Sequence, residues 1–299
     1  MKLPNNSEAF KSIVIEKLKT YCDTNIWPFE YAKFTAWLNN FDCEKEEYVA
    51  LQVLDNLIVR SNEMAKISYS RLLNSDIRQH LISHSFIKNI SISKWRNHLL
   101  NGSLSDSLRF SPVKKIDDEG ESGGVIYRLM SEELDTNRYS YAKTQSTPKV
   151  LILIDDFIGS GTQFTEFAEE FKLEEKLKYM HILYCPLIAF DNGIKEIKKS
   201  YPSLHVIPSE KIFIQDGLFY GDKNDFFKND QQNTIGEIID FWKGMHKKYA
   251  PSMPFWFGFE QVAFPLAFEW GCPNQTPSIL YLKHSPKVPN WNKLFSRRS

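Results

Sequence analysis

The sequence lacks any apolar run near the ~18 residues that a membrane-spanning helix needs, and neither sign of charge prevails, with 37 Lys plus Arg against 37 Asp plus Glu. The first absence excludes a transmembrane helix. The N-terminus, Met-Lys-Leu-Pro-Asn-Asn-Ser-Glu, has no apolar signal core, so a cytoplasmic location is expected. The charge balance leaves no basic face of the kind that grips duplex nucleic acid regardless of sequence. Cysteine is scarce as well. Cys22, Cys43, Cys185 and Cys272 include no C-x-x-C pair, and they read as reduced packing residues rather than a disulfide framework or a zinc knuckle. A chain of 299 residues suits one large domain or two unequal ones.

What is present divides near residue 104. The first part is helical in pattern. A helix is predicted over 7–21, with Ser7 as its cap and Phe10, Val14, Ile15 and Leu18 on one stripe. Others are predicted over 29–38 and over 44–62, the latter with Val49, Val53, Leu54, Leu57 and Ile58 on one face. Shorter helical segments fit 67–73, 77–86 and 93–100. The texture changes at Asn101-Gly102: 111–124 reads as an exposed polar loop, 125–130 as a strand, and 131–148 is polar again. Strand and helix signals then alternate: strands over 150–154, 180–188, 204–207, 212–214 and 278–282, helices over 163–178, 192–200 and 235–249, with Pro186 expected to end or bend the second strand. This order argues for a parallel sheet. The expected organisation is a helical region over 1–104 followed by an α/β domain over 105–299.

One segment carries chemistry: Val-Leu-Ile-Leu-Ile-Asp-Asp-Phe-Ile-Gly-Ser-Gly-Thr-Gln at 150–163. Its apolar half is a strand buried on both faces, and ligands of open α/β sheets bind at the C-terminal ends of such strands. Asp155 and Asp156 follow, expected just beyond the strand, where carboxylates accept hydrogen bonds from ribose hydroxyls. Gly159, Ser160, Gly161, Thr162 and Gln163 then open a helix. Glycines permit close backbone approach, and helix-start N–H groups favour an anion. Sugar binding beside phosphate binding amounts to a site for a ribose 5-phosphate group. The plain alternative is a β-turn-α junction whose acids only cap the helix. No Lys follows a G-x-x-x-x-G spacing and no G-x-G-x-x-G is present, which excludes the P-loop and dinucleotide readings.

This run resembles the phosphoribosyl-diphosphate (PRPP) signature of type I phosphoribosyltransferases. The resemblance implies a parallel-sheet type I phosphoribosyltransferase-like α/β core, with Asp155 and Asp156 as the ribose-binding acids and 159–163 as the 5-phosphate loop. Gln163 stands where the family often has Thr or Ala, and Gly159 where purine-salvage members place an Asp, which argues against hypoxanthine or guanine salvage. With Glu-Ser-Gly-Gly at 121–124 and Cys-Pro-Asn-Gln-Thr-Pro at 272–277, the chain is similar over most of 105–282 to the phosphoribosyltransferase-like effectors of bacterial conflict systems (PRTase-CE type), including those beside retron reverse transcriptases. That resemblance implies a role in antiphage defence and partners from a defence operon, either a reverse transcriptase–msDNA complex or a DNA-binding protein. It also implies Mg²⁺, held with the substrate's pyrophosphate and contacted indirectly by Asp155 and Asp156.

Other residues have two readings each. Ser122, Gly123 and Gly124 are candidates for a pyrophosphate loop with Arg128 supplying charge, or else a surface loop. Asn274 and Thr276 are candidates to close the site, or else belong to a rigid turn. The aromatic stretch 255–270, with Glu260 and Glu269, reads as core or interface before base-stacking platform. His80 and His84 have a zinc-chelating spacing but no evident third ligand, so a solvated or capping role is expected. Lys195, Lys198 and Lys199 read as a solvated helix face, and Ser160 has no readable His-Asp partner for hydrolase chemistry. Three functions remain open: an enzyme making or cleaving an N-glycosidic bond at C1 of a ribose 5-phosphate unit, a catalytically silent PRPP- or nucleotide-binding module, and ordinary nucleotide salvage.

Overall fold

The computed structural model describes residues 1–114, 122–144, 146–220 and 227–297. It divides into two compact units, one built from Met1–Ser61 with Ile214–Arg298, the other from Asn62–Phe213. The division expected at 104/105 therefore falls inside the second unit, and the two ends of the chain fold together.

In chain order, the first unit begins with α1 (Ser7–Asp23), α2 (Tyr31–Leu38) and α3 (Glu44–Asp55). Asn6, not Ser7, stands at the start of α1, and it makes no side-chain cap. The third helix stops seven residues short of the expected 62, because Asn56 ends it and Ile58–Arg60 extends as β1. Ile58 and Val59 are β-branched, a type that packs well on a pleated surface.

The second unit opens with α4 (Asn62–Leu72), which passes through one π-helical stretch, Leu73–Ile77, into α5 (Arg78–Ser83). Helix α6 (Ile92–Asn101) is capped by Ser91, whose Oγ accepts the Lys94 N–H, and stopped by Gly102 at φ 71°. Strand β2 (Leu108–Pro112), for which no strand was expected, ends inside the segment read as a loop from 111, and residues 115–121 of that segment lie outside the described residues. Next comes α7 (Ser122–Leu129), a helix where 125–130 reads as a strand. Ile126 and Met130, one helical turn apart, are both buried while Arg128 is exposed, a period too short-lived to register in sequence.

Strand β3 (Val150–Ile158), α8 (Thr162–Glu170), the short α9 (Leu173–Lys176), β4 (His181–Phe190), α10 (Asp191–Ser200), β5 (His205–Val206) and β6 (Glu210–Ile212) follow. The sheet runs β2-β3-β4-β5, with β6 also on β4, and every pairing is parallel. Strand β4 continues through Pro186 rather than ending there. Its outer neighbour is instead split into β5, opposite Leu183 and Tyr184, and β6, opposite 188–190. The gap brackets Pro186, which has no N–H for a ladder, and the Ser209 N–H reaches the Pro186 carbonyl at 3.0 Å. Leu151, Leu153, Ile182 and Tyr184 on one face pack against Phe164, Phe167, Ile194 and Ile197 of α8 and α10. On α10, Lys195 pairs with Asp191 and Lys199 with Glu196 on an exposed face, as the solvated-helix reading expects.

The first unit resumes with α11 (Ile235–Tyr249), opened by a reciprocal capping box between Thr234 and Glu237, and β7 (Leu266–Phe268), which pairs in parallel with β1. Residues 278–280 form a 3₁₀ turn in place of the expected last strand. Here Phe34 and Trp37 share a core with Trp242, Trp256 and Phe295, so the aromatic C-terminal stretch is packing material.

Tyr69 of α4 is 1% exposed, and its hydroxyl lies between the carbonyl oxygens of Asp155 and Cys185, the latter at 2.5 Å, which share its single proton. It thereby fixes β3 to β4 at one level. Tyr69→Phe is expected to lower the unfolding free energy by about 1–3 kcal/mol, the usual cost of stranding a buried acceptor, read from the urea midpoint; an unchanged midpoint would show that the strands satisfy those carbonyls without it.

Candidate functional site

All nine residues of β3 are buried, and Asp155 and Asp156 lie within the strand rather than beyond it. The strand runs on because Phe157 and Ile158 still pair with Ile188 and Ala189. A carboxylate in such a place needs partners. Asp155 is 7% exposed; its Oδ1 accepts the Asp156 N–H at 2.9 Å and its Oδ2 the Tyr184 hydroxyl at 2.6 Å. Tyr184 in turn stacks on Phe164 of α8, ring centres 4.1 Å apart. Asp156 is fully buried and takes the alternate strand face, that of Ile152 and Ile154. Burial pushes the Tyr69 phenol and the Cys185 thiol well up, so both stay protonated and neither is a nucleophile at neutral pH.

The loop beyond the strand is short. Gly161 adopts φ 90°, a conformation that disfavours side chains, and it supplies no capping group to α8. The Thr162 N–H reaches Ser160 Oγ at 3.3 Å, and the other N–H groups of this helix start suit an anion's oxygen. Ser160 Oγ lies 2.9 Å from Thr162 Oγ1, and the Thr165 N–H closes the first turn onto the Gly161 carbonyl at 2.9 Å. Thr162 and Gln163 are exposed and Ser160 is half-buried, so two hydroxyls sit at the helix mouth within reach of solvent. Strand β2 ends alongside: the Val113 N–H donates to the Ile154 carbonyl at 2.8 Å.

The remaining sequence candidates separate. Ser122 and Gly123 open α7, so the segment read as a loop begins a helix. Arg128 folds back toward Gly124, its Nη1 3.7 Å from where a Cβ there would sit. Asn274 belongs to the other compact unit, and its Oδ1 accepts the Arg297 Nε–H at 2.9 Å. Thr276 is fully buried and donates to the Leu266 carbonyl at 2.6 Å. A cavity of about 480 Å³ lined by Phe110, Tyr127, Phe167, Phe171, Lys172 and Lys176 also opens in the second unit, but no residue of 155–163 lines it. The acid pair and loop carry a chemical argument that this cavity lacks.

Sequence reasoning missed two residues of the site. Tyr184 had a signal: a tyrosine inside a continuous apolar run must find a partner for its hydroxyl. Gly193 had one too, as a glycine inside a helix marks a close approach. A Cβ at Gly193 would stand 1.9 Å from the Gly159 carbonyl oxygen, so the first turn of α10 is pressed onto the loop.

Comparison with known proteins gives a family and two distant structures. The family model described as PRTase-CE matches residues 34–297. No curated protein matches the chain. Among solved structures, the AQ2163 protein of Aquifex aeolicus is similar at 12% identity and a TM-score of 0.26 over 37% of this chain and 56% of its own. Orotate phosphoribosyltransferase from Aeropyrum pernix is similar at 12% identity and a TM-score of 0.25 over 38% of this chain and 64% of its own. The chain thus spans less than two thirds of either.

The packing of α10 on the loop is testable. Gly193→Ala should destabilise the protein by about 1–3 kcal/mol through overpacking. Gly244→Ala on α11, where a Cβ meets open space, should stabilise it by up to about 1 kcal/mol. Urea denaturation of the two variants reads both; equal shifts would mean that the loop yields to the added methyl.

Proposed function

The chain belongs to the PRTase-CE family, and from that premise we propose that 155–163 binds the ribose 5-phosphate group of PRPP or of a nucleotide and makes or cleaves the N-glycosidic bond at its C1, as the effector of an antiphage system. One observation carries this reading: a central parallel strand delivers two adjacent carboxylates and then, through an αL glycine that offers no cap of its own, a helix start flanked by two hydroxyls. The acids hold ribose hydroxyls. The helix start and the hydroxyls of Ser160 and Thr162 hold the 5-phosphate. In an oxocarbenium-like transition state, positive charge gathers at C1 and the ring oxygen, and nearby carboxylates stabilise it.

Mg²⁺ fits this donor set. The carboxylates of Asp155 and Asp156 and the hydroxyls of Ser160 and Thr162 are hard oxygen donors, the class that Mg²⁺ takes together with waters and substrate phosphates. Bound there with pyrophosphate, it would neutralise the leaving group's charge.

A second reading is a silent binding module that senses PRPP or a nucleotide for partners in a defence operon. The internal engagement of both Asp155 oxygens supports it, since a carboxylate already occupied orients a ligand more readily than it moves protons.

Phosphorus NMR of the full chain with PRPP, Mg²⁺ and pooled bases and nucleotides separates these. Pyrophosphate release or nucleotide loss that disappears in Asp155→Asn/Asp156→Asn is the enzymatic outcome; line broadening without turnover is the module. Because buried acids also shape the fold, Ser160→Ala/Thr162→Ala provides a surface arm, expected to weaken PRPP binding about ten- to a hundred-fold, the value of hydrogen bonds to a charged group. Binding unchanged in both variants would remove the site from 155–163.

A further inference from the structure

Four of the chain's seven histidines meet at one place in the second unit. His80 lies on α5 and His84 follows its last residue, while His181 opens β4 and His205 opens β5. The Nε2 atoms of His80 and His181 are 2.8 Å apart, and one ring nitrogen from each of His80, His181 and His205 lies within 4.8 Å of the other two. His84 stacks on His80 with ring centres 4.0 Å apart. The helical spacing of His80 and His84, which by itself lacked a third ligand, thus acquires two.

Neutral imidazoles that converge on one point bring lone pairs together, which is unfavourable unless a proton or a Lewis acid sits among them. A shared proton serves one pair of rings; a metal ion serves three or four. His80, His181 and His205 are all half-buried, so the point on which they converge is partly screened from solvent. The other arm of such sites is present too. His84 Nδ1 donates to the His80 carbonyl at 2.9 Å, which fixes its tautomer and turns its Nε2 into a lone-pair donor. Tetrahedral zinc with bonds of ~2.0–2.1 Å places its nitrogens roughly 3.3 Å apart, so the 2.8 Å pair needs to open by about half an ångström.

We propose that His80, His181 and His205 bind one zinc ion, with His84 or a water in the fourth position. Its place in the sheet assigns its role. His181 pairs with Val150, whereas Asp155 pairs with Pro186; at ~3.3 Å per residue the two levels are about 16 Å apart along the strand. The ion therefore sits at the opposite end of the sheet from the acid pair. It staples α5 to the starting edges of β4 and β5, and any Mg²⁺ held with a substrate phosphate is a separate ion.

The test uses the full chain without a histidine tag. Zinc content after purification, and visible absorption on replacing zinc with Co²⁺, are measured for the wild type and for His181→Gln and His205→Gln, with thermal unfolding of metal-loaded and chelator-dialysed protein alongside. The expected result is about one zinc per chain, an intense cobalt spectrum of low coordination number and a melting temperature several degrees higher with metal, all lost in either variant. A folded wild type with trace zinc and a featureless cobalt spectrum overturns the proposal, leaving an imidazole pair joined by one N–H···N hydrogen bond. A cobalt spectrum that survives both substitutions overturns it too, since the ion is then elsewhere. The wild-type arm stands if the variants do not fold, and none of the readouts involves PRPP.

Discussion

Two carboxylates inside a strand covered on both faces set the terms for the unit around them. An ionised side chain moved out of water costs several kcal/mol unless hydrogen bonds replace the lost hydration. Asp155 meets that demand with the Asp156 N–H and the Tyr184 hydroxyl, which obliges β4 to present a tyrosine where an aliphatic residue would otherwise serve. Phe164 then fixes the tyrosine ring from α8, the helix that the loop opens. Tyr69 fixes the backbone of the same strand level from the other side. Strand, loop and both covering helices are thus coupled through one residue, and the acid's geometry is set before any ligand arrives, which is what preorganisation requires.

Where a segment is long and its period strong, the sequence shows it: α11 spans its expected 235–249, and β3, β4 and α10 lie within a few residues of expectation. The failures share a cause. Strand β1 is three residues long and pairs with β7 some two hundred residues away, so nothing local marks it; its Ile58 extends a helical apolar face by accident of spacing. Helix α7 presents one buried position, Ile126, with Met130 one turn on in the 3₁₀ turn that follows, too few to tell a helix from a strand. At the candidate site, the acids and the glycine loop are visible because their chemistry is local. Tyr184 and Gly193 act on residues 29 and 34 positions away, 155 and 159 respectively, and only the sheet brings them together.

The parallel sheet gives its two ends different chemistry. Its C-terminal end gathers hard oxygen groups, the carboxylates and hydroxyls of 155–162, suited to sugar, phosphate and Mg²⁺. Its N-terminal end gathers imidazoles, softer donors suited to zinc. The separation follows from strand direction, since His181 and His205 begin their strands while Asp155 and Asp156 come near the end of theirs. It also explains why the histidines escape a sequence reading built around one motif: a parallel sheet needs long crossovers, so residues side by side at its N-terminal end are far apart in the chain.

A buried carboxylate recurs in the other unit and explains why residue 104 is no boundary. Glu46 of α3, 5% exposed, accepts hydrogen bonds from Lys248 at 2.8 Å and from the Tyr249 hydroxyl at 2.7 Å, both at the end of α11. Removing the end of α11 would strand the Glu46 charge in an apolar core, at a cost of several kcal/mol. The same core mixes Phe34 and Trp37 with Trp242 and Trp256. The N-terminal helices are therefore half of a unit whose other half is the C-terminal stretch, not a cap appended to a sheet. A family match that runs from 34 to 297 across both units agrees with this: what the family shares includes the first unit as well as the strand that carries the acids.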